Sequence, residues 1–439
     1  MIILEILIFL STLFPVIHLF QAVFIALKNK RQEKPRLSMN NKFSIIIPCY
    51  NEEDAVFTSV KGIMGLIYDK YEVIYVNDGS TDDTFAVLDK CLKLKKEFYD
   101  GPLLSKLKIK GFYSSEVFDN IYVIDKYNGG KAESLNAGIS FSSNDIIVTL
   151  DADSILEKNS LRIIDNVFCD EKVIAAGGVV HVMQSHFLYK GDRFKNRLIK
   201  LQALDYIKGF YIYKASLASE DALSIISGAF GIFRKDVLQE VGGFRNTLGE
   251  DIDITLRFQK YALKNKKAIK FIPWAICYTE CPESWADLFK QRIRWQKAFL
   301  DCIITYIFHI VRFFLTKSVY FYLFVEAFVV GMTSSIFSLT VGIIALFSNS
   351  PRLLFNFIFY YLLSTLFSLI YSITAIIISN IYSDRKYLIR YFGATLLWDV
   401  LFFRYVTVIY YLTGTVLYFF NNKSWNKVKR SKRVYELSQ

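Results

Sequence analysis

The stretch VTLDADS, Val148–Ser154, ends an apolar run with two aspartates one residue apart. The apolar run is typical of a buried strand, so Asp151 and Asp153 fall just beyond its carboxyl end. Aspartates at such a position often form turns, because their side chains accept hydrogen bonds from nearby backbone N–H groups. They also provide hard oxygen ligands for a divalent cation. A motif this short does not decide between the two interpretations by itself.

Strands and helices alternate on both sides of this stretch. Short runs rich in Ile, Val and Tyr predict four buried strands, at Phe43–Ile47, Glu72–Val76, Ile121–Ile124 and Ile146–Leu150. Helix-length segments are predicted at Glu53–Leu66 and Asp82–Leu94, and residues 98–120 are predicted to form a loop. The alternation predicts an α/β domain over residues 42–282, with a mostly parallel sheet and helices on both faces.

The composition indicates a membrane protein. Of 439 residues, 53% are hydrophobic, and the mean hydropathy of +0.29 is too high for an ordinary soluble protein. The formal net charge is +12, but five basic residues against one acidic lie in residues 28–36, and six against one in residues 423–436. The two segments carry net charges of +4 and +5, so nine of the twelve net positive charges flank apolar segments, as in positive-inside loops. We predict a lipid bilayer as a partner and no nucleic acid.

Apolar segments lie on both sides of the α/β domain. Residues 1–28 predict an N-terminal transmembrane helix, since roughly 20 apolar residues cross a bilayer. Residues 284–317 mix apolar residues at helical spacing with many basic ones, which predicts interfacial amphipathic helices. Residues 318–420 predict a C-terminal transmembrane and interfacial region, and residues 421–439 a basic tail. Candidate spans in that region are Val319–Phe347, Leu353–Ile381 and Leu401–Phe420. The number of spans and the side of the tail stay open.

The charge pattern also orients the α/β domain. The basic cluster that follows the first apolar segment places residues 42–282 in the cytoplasm. The six cysteines agree with a reducing compartment, because their scattered positions show no disulfide framework and no zinc-site spacing. Three charged residues within the apolar C-terminal segments predict either a polar lumen or paired structural charges: Glu326, Asp399 and Arg404.

Polar clusters follow several of the predicted strands. They are Pro48–Glu53 (PCYNEE), Asn77–Asp82 (NDGSTD), Asn128–Asn136 (NGGKAESLN) and Asp151–Asp153. Open α/β sheets bind ligands beyond the carboxyl ends of their strands, so the clusters are expected to share one edge of the sheet. Lys131, beside two glycines, is placed to meet a phosphate there. Each cluster alone is also explained as turn chemistry.

Two further motifs lie towards the C-terminus. The run Gly249–Asp253 (GEDID) sets acids at the start of a predicted helix, Ile252–Lys264, where acids favoured by the helix dipole are one explanation. The other explanation makes Asp251 a general base for an acceptor hydroxyl. Gln291–Trp295 (QRIRW) lies in the predicted interfacial region, where snorkelling basic side chains are the alternative to a role in the site.

Together these motifs resemble those of the family 2 glycosyltransferases with a GT-A fold, a Rossmann-like α/β architecture. The segments that carry the resemblance, in order and approximate spacing, are IIIPCYNEE, VNDGSTDDT, NGGKAESLNAGI, LDADS, SGAFGIF, GEDID and QRIRW. Over about Phe43–Leu300 the chain is similar in particular to membrane-embedded processive synthases, those of cellulose, chitin, hyaluronan and poly-N-acetylglucosamine. The Glu-Asp motif followed by QxxRW is the most specific part of this pattern.

The resemblance implies a role for each matching residue. It places Tyr50, Glu52 and Asp78 at the uridine, and Lys131 and Asp151 near the nucleotide. It places Asp153 on a Mg²⁺ or Mn²⁺ ion. Glu250 and Asp251 match the catalytic Glu-Asp, with Asp251 as the base, and Gln291, Arg294 and Trp295 match QxxRW. Trp295 would stack on the acceptor sugar, and Arg294 would neutralise the departing diphosphate. The Thr that usually precedes Glu-Asp is Gly249 in this chain, and no gating-loop motif is recognised among the C-terminal segments.

The implied function is that of an inverting hexosyltransferase of the cell membrane. It would use a UDP-sugar, UDP-GlcNAc or UDP-Glc, to elongate a β-linked glycan acceptor and pass the product through its own channel. The resemblance also allows an accessory membrane subunit. The alternative is a glycolipid synthase that adds one or a few sugars to a lipid, because QxxRW occurs there too. A non-catalytic sugar sensor is disfavoured, since it would not need the metal ligand and the base.

Overall fold

The computed structural model describes residues 2–31, 37–98, 107–187, 196–333, 350–387 and 389–420, and the single positions 336, 340, 347 and 435. The chain divides into two compact units. We refer to Glu33–Arg193, Leu223–Pro282 and Lys429–Gln439 as the sheet unit, and to Met1–Gln32, Phe194–Ala222 and Glu283–Val428 as the helical unit. Within the predicted domain 42–282, Phe194–Ala222 thus belongs to the helical unit. The predicted basic tail lies outside the described residues, apart from position 435.

Strands and helices are numbered in chain order. The strands are β1 Phe43–Cys49, β2 Tyr71–Asp78, β3 Leu94–Glu97, β4 Ile109–Ser115, β5 Ile121–Lys126, β6 Ile146–Leu150, β7 Ser154–Leu156, β8 Val173–Val182, β9 Phe230–Arg234 and β10 Ala268–Thr279. The helices are α1 Ile2–Arg31, α2 Glu53–Met64, α3 Thr84–Leu92, α4 Lys131–Phe141, α5 Ser160–Phe168, α6 Arg197–Lys208, α7 Ala215–Ser219, α8 Lys235–Glu240, α9 Glu250–Asn265, α10 Trp285–Phe313, α11 Ser318–Phe321, α12 Pro351–Tyr382, α13 Ile389–Phe392, α14 Thr395–Trp398 and α15 Arg404–Phe420. π-helical segments follow α6, α11 and α14 at Gly209–Lys214, Tyr322–Val330 and Asp399–Phe403.

The sheet unit is built on one mixed sheet. Within the described residues its ten strands follow the order β3-β4-β5-β2-β1-β6-β9-β8-β10-β7. The central strands β5, β2, β1 and β6 pair in parallel, as do β8 and β10, whereas the remaining neighbours are antiparallel. Of these ten strands, only β4, β7 and β9 therefore run against the other seven. The predicted α/β fold with a mostly parallel sheet is confirmed.

The two central strands β1 and β6 separate towards their carboxyl ends. β1 pairs with β2 as far as Cys49, but with β6 only as far as Ile46. Pro48, which has no N–H to donate, lies beyond the last pair with β6, so no ladder bond is lost on that side. The separation leaves room at the carboxyl edge of the sheet, where open α/β sheets bind ligands.

Helices α4 and α9 cover one face of the sheet and begin at this edge. Leu135 of α4 and Ile254 and Phe258 of α9 belong to one buried cluster with Ile46 of β1. A side chain at Gly138 would lie 2.3 Å from Ile46, so the glycine permits α4 to pack closely on β1. This packing brings the first turns of both helices, which carry several predicted site residues, to the carboxyl edge.

The prediction of a loop over residues 98–120 is wrong in part. Ile109–Ser115 forms β4, which pairs antiparallel with β3 and β5, while residues 99–106 lie outside the described part of the chain. Only Gly111 and Ser115 of β4 are buried. A half-exposed strand near the sheet edge lacks the continuous apolar run by which buried strands are recognised.

Three helices of the helical unit are long and apolar enough to cross a membrane. Within the described residues they are Thr12–Arg31, Leu354–Tyr382 and Thr395–Phe420, and Ser318–Thr333 is a shorter apolar helix. The rest of the predicted span Val319–Phe347 lies mostly outside the described residues. The predicted interfacial segment is a single helix, α10, whose N-cap Ser284 accepts a hydrogen bond from the N–H of Asp287 at 3.2 Å.

The three charged residues predicted within the C-terminal apolar segments all have polar partners inside the helical unit. Asp399 accepts hydrogen bonds from the Lys208 ammonium at 2.8 Å and the Ser372 hydroxyl at 3.0 Å. Glu326 lies 2.7 Å from His18 Nε2. The Arg404 guanidinium donates to the hydroxyls of Ser364 and Tyr405, both at 2.9 Å. The Lys208–Asp399 pair therefore supports the interpretation as paired structural charges, whereas Arg404 is bound by neutral hydroxyls.

Candidate active site

The loops that follow β1 and β2 are joined by hydrogen bonds. The N–H of Asn51 donates to the Ser80 hydroxyl at 3.0 Å, and the Asn51 side-chain oxygen accepts from the N–H of Thr81 at 2.7 Å. Asn51 has φ +53°, in the left-handed region that asparagine tolerates better than most residues. Tyr50 is half-buried and Glu52 is buried. These two predicted nucleotide-binding residues therefore lie in a well-anchored loop at the carboxyl edge.

Asp78, at the end of β2, is buried and its carboxylate accepts four hydrogen bonds. Oδ1 accepts from the Lys126 ammonium at 2.6 Å and from the N–H of Gly129 at 3.0 Å. Oδ2 accepts from the N–H of Gly130 at 2.8 Å and from the Asn128 amide at 3.3 Å. The carboxylate that the resemblance assigns to the uridine thus holds the loop of residues 128–130, a contact that the sequence did not predict.

Lys131, the first residue of α4, brings acidic residues from separate segments together. Its ammonium lies 2.7 Å from Asp151 Oδ1 and 3.3 Å from Glu250 Oε1, and it donates to the backbone oxygen of Gly228 at 3.2 Å. Burial alone would lower the pKa of this ammonium, but the carboxylates of Asp151 and Glu250 more than offset that effect and raise the pKa. Lys131 therefore stays charged, which the predicted contact with a phosphate would require.

Asp151 and Asp153 lie in different surroundings although one residue separates them. Burial raises the pKa of Asp151, and the nearby Asp153 carboxylate adds to the rise, while Lys131 opposes it. Asp153 is buried, and its Oδ1 accepts from the hydroxyls of Ser154 and Thr279, each at 3.1 Å. Asp151, Asp153 and Glu250 thus share a single nearby ammonium, that of Lys131. The cluster keeps an excess of negative charge, which a bound cation would reduce.

A divalent metal fits this donor set only with ligands from outside the chain. Among the described residues, no three His, Cys, Asp or Glu side chains converge on one point. Asp153 offers the hard carboxylate oxygen that Mg²⁺ and Mn²⁺ prefer, and such ions usually take their other ligands from water and substrate phosphates. Asp153 is therefore the residue that would hold the metal, with a diphosphate completing the site.

Asp251 lies in the same cluster, in the first turn of α9. Its Oδ2 accepts from the N–H of Gly228 at 3.2 Å, and its Oδ1 accepts from the N–H of Ile252 at 2.9 Å. Asp251, Glu250, Gly228 and Lys131 line one small cavity. By contrast, the next acid in the helix, Asp253, is buried and paired with Arg257 at 2.6 Å. The structure thus separates a structural acid in this helix from the two that face the cavity.

Gln291, Arg294 and Trp295 lie on α10 in the helical unit. Gln291 and Arg294 are half-buried, and the Trp295 side chain is 40% exposed. Arg292, in the middle of the same motif, is buried, pairs with Asp205 at 2.8 Å and lies 4.4 Å from the centre of the Trp295 ring. Snorkelling therefore does not explain Arg292, because this arginine forms an internal ion pair and a cation–π contact with the tryptophan.

The structure adds residues that the sequence reasoning missed. The sequence did contain an indication for Lys126, which ends the apolar strand β5. A lysine buried at such a position almost always has a charged partner, so an acidic partner could have been predicted. Thr279 had no such indication, because it is the last residue of β10 and lies 126 positions after Asp153 in the chain. Gly228, part of the SGAFG motif, contributes both its N–H to Asp251 and its carbonyl to Lys131.

Comparison with known families identifies two matching family models. The one described as glycosyl transferase family 2 matches residues 44–242, and the one described as glycosyl transferase family group 2 matches residues 146–421. The second match covers more than half of the chain and includes α9, α10 and the C-terminal helices.

Curated relatives and a solved structure agree with these matches. A poly-beta-1,6-N-acetyl-D-glucosamine synthase of Staphylococcus aureus (strain MSSA476) is 30% identical over 270 residues, 60% of this chain and 56% of the relative. The synthase of the same name from Staphylococcus epidermidis is 28% identical over 257 residues, 57% of this chain and 53% of the relative. The chain thus spans about half the length of the curated relatives it matches.

The fold has a solved counterpart. A mannosyltransferase from Pyrobaculum calidifontis, in complex with GDP-Man and Mn²⁺, superposes with a TM-score of 0.53 over 94% of this chain and 99% of that chain, at 15% identity. At this identity the likeness concerns the fold alone. Together with the sheet order, it confirms the GT-A-like architecture predicted from the sequence.

Proposed function

The chain belongs to glycosyltransferase family 2, and from this premise we propose that it transfers a sugar from a UDP-sugar to a growing β-linked polysaccharide. The observation that carries the proposal is the cluster around Lys131. One ammonium holds Asp151 and Glu250 beside Asp251, at the edge of the sheet where α/β folds bind ligands. A non-catalytic binding protein would need Lys131 to bind phosphates, but it would not need Asp251 beside the cluster.

The proposed mechanism is a single displacement. Asp251 removes the proton of the acceptor hydroxyl, whose oxygen attacks the anomeric carbon of the donor as the bond to UDP breaks. Lys131 is placed to exchange its carboxylate contacts for the diphosphate and so to stabilise the charge on the leaving group. A Mg²⁺ or Mn²⁺ ion held by Asp153 would supply further charge neutralisation. One displacement inverts the anomeric centre, so an α-linked donor gives a β-linkage.

The remaining roles follow from the resemblance. Tyr50, Glu52 and Asp78 are proposed to form the nucleoside end of the donor site. Gln291, Arg294 and Trp295 are proposed to serve the acceptor and the departing diphosphate. The half-exposed ring of Trp295, held by Arg292, supports the acceptor role, because sugar rings stack on aromatic faces.

The donor, product and location are proposed from the relatives and the apolar helices. Similarity to poly-N-acetylglucosamine synthases favours UDP-GlcNAc as the donor and a polymer as the product. Three helices of spanning length support a membrane protein, and the positive-inside pattern supports a cytoplasmic sheet unit. We further propose that the polymer leaves through the enzyme's own membrane segments.

Radiolabelled transfer by the purified full chain in detergent tests the proposal. UDP-GlcNAc, UDP-Glc and GDP-Man would each be supplied with Mn²⁺, and the products sized on a gel and extracted with organic solvent. We expect a high-mass, water-soluble product from UDP-GlcNAc and none from GDP-Man, and an Asp251→Asn preparation controls for contaminating activity. Only short, solvent-extractable products would favour the glycolipid synthase, and no transfer from any donor would refute the proposal.

A further inference from the structure

Lys126, the last residue of β5, is a fully buried lysine that no part of the proposed mechanism uses. It has no exposed surface, and its ammonium donates to Asp78 Oδ1 at 2.6 Å and to the backbone oxygen of Tyr127 at 2.8 Å. A charge in such a position is costly unless a charged partner and further hydrogen bonds compensate it. The pair that Lys126 forms with Asp78 therefore calls for an explanation.

The pair lies directly behind the loop that leads to Lys131. The Asp78 carboxylate accepts from the N–H groups of Gly129 and Gly130, at 3.0 and 2.8 Å, and from the Asn128 amide at 3.3 Å. Three donors of this loop thus reach one carboxylate, and the Asn128 amide also donates to the Asp78 backbone oxygen at 2.9 Å. Lys126 supplies the positive charge that balances it.

The backbone of the loop leaves little freedom for another arrangement. Gly130 has φ +88° and Gly79 has φ +66°, both in the region that favours glycine. A side chain at Gly79 would lie 2.6 Å from the backbone nitrogen of Asn128, so the turn after β2 and the loop are in direct contact. Gly130 is followed directly by Lys131, whose ammonium reaches Asp151 and Glu250.

We propose that Lys126 is a positioning residue for the donor site. By balancing the charge of Asp78 it holds residues 128–130 in place, and this fixes the start of α4 so that the Lys131 ammonium points at the site of the donor diphosphate. The inference rests on the proposed function and deepens it. It also gives Asp78 a second role beside its proposed contact with the nucleoside, because the same carboxylate holds the loop that leads to Lys131.

The affinity for UDP in the presence of Mn²⁺, measured by calorimetry on the full chain in detergent, tests this chain of contacts. Four proteins are compared: the unchanged enzyme, Lys126→Met, Lys131→Met and the double variant. If Lys126 acts through Lys131, each single change weakens UDP binding about tenfold or more, the usual effect of losing a charge-assisted hydrogen bond. The double variant then binds no more weakly than Lys131→Met.

A matched control and a second variant guard against misfolding. Lys110 on β4 pairs with Asp125 at 3.8 Å and is exposed, so Lys110→Met should leave UDP affinity unchanged. If Lys126→Met does not fold, the combination with Asp78→Asn removes both buried charges and leaves neither unpaired. This double variant should fold and bind UDP more weakly than the unchanged enzyme. Adding Lys131→Met to it should not weaken UDP binding further. Losses from residues 126 and 131 that multiply, or an unchanged affinity in Lys126→Met, would overturn the proposal.

Hydrogen exchange separates this inference from the proposed function. In the ligand-free protein, Lys126→Met should speed exchange at the Gly129 and Gly130 amides at least tenfold, because their acceptor is released from its place. Exchange in β8 should stay as in the unchanged enzyme. If the unchanged enzyme fails to bind UDP, the donor assignment fails, and exchange then decides the inference alone. Unchanged exchange at both glycines would refute the role of Lys126 whatever the donor.

Discussion

Replacing Asp251 with asparagine should stop transfer without preventing donor binding. The carboxylate has two observed hydrogen-bond donors, the N–H groups of Gly228 at 3.2 Å and Ile252 at 2.9 Å. Asparagine has one side-chain oxygen, so it can keep one of these bonds and must turn an NH₂ group towards the other donor. The substitution therefore changes two things, the local bonding and the ability to accept a proton.

The two effects differ in size and in the quantity they change. A lost hydrogen bond at a half-buried site costs about 1 kcal/mol, and this appears in the free energy of unfolding. A lost general base lowers the rate by about 10²-fold to 10⁴-fold, which is about 3–5 kcal/mol in the activation free energy. The rate effect should dominate. We expect kcat to fall at least 10²-fold while the dissociation constant for UDP changes less than threefold.

Transfer kinetics, UDP calorimetry and thermal unfolding of the same preparations separate these effects. Asp236→Asn is the matched control, because Asp236 is exposed at the start of α8 and accepts from the N–H of Val237 at 2.8 Å, as Asp251 does from Ile252. It should leave kcat unchanged. If Asp251→Asn transfers sugar as fast as the control, then Asp251 is only a helix-start acid and the proposed mechanism is refuted.

Three other expectations follow from single residues. EDTA on the unchanged enzyme should abolish transfer with little effect on the unfolding midpoint. Asp153→Ala should also abolish transfer but lower the midpoint, because Asp153 is buried and accepts from two hydroxyls; activity that persists in EDTA would contradict the metal assignment. Cys169 is exposed in the sheet unit, so a variant with this single cysteine should react with an impermeant maleimide only after cells are permeabilised, and labelling of intact cells would place the unit outside. Burial lowers the pKa of His181 from 6.5 to about 3, so between these values the unfolded chain binds a proton that the folded chain does not, and stability is lost as the pH falls. Between pH 7 and pH 5 the free energy of unfolding should fall by about 2 kcal/mol, which is measured as a lower unfolding midpoint. The midpoint of His181→Asn should depend less on pH, and an equal pH dependence of the two proteins would refute this expectation.

The sequence alone predicted the parts of the protein that depend on neighbours along the chain. β1 and β6 were predicted within two residues because each is a continuous apolar run, buried on both faces of the sheet. The helix α9 was predicted to begin at Ile252, two residues after its observed start at Glu250, from local acids before an amphipathic run. By contrast, β4 was missed because it is half-exposed and interrupted by Gly111.

Only the tertiary structure decided which polar groups meet. Lys131 reaches Glu250, which lies 119 positions later in the chain, and Asp78 meets Lys126 because β2 and β5 are neighbours in the sheet. In the sequence, the resemblance placed Asp78 at the uridine and Lys131 near the nucleotide, and neither assignment named a partner within the protein. The sheet order buried Asp78 against Lys126 and left Lys131 at the carboxyl edge. Local periodicity predicts which face of a strand is buried. The partner of a residue across the sheet depends on the strand order, which cannot be read from any short stretch of sequence.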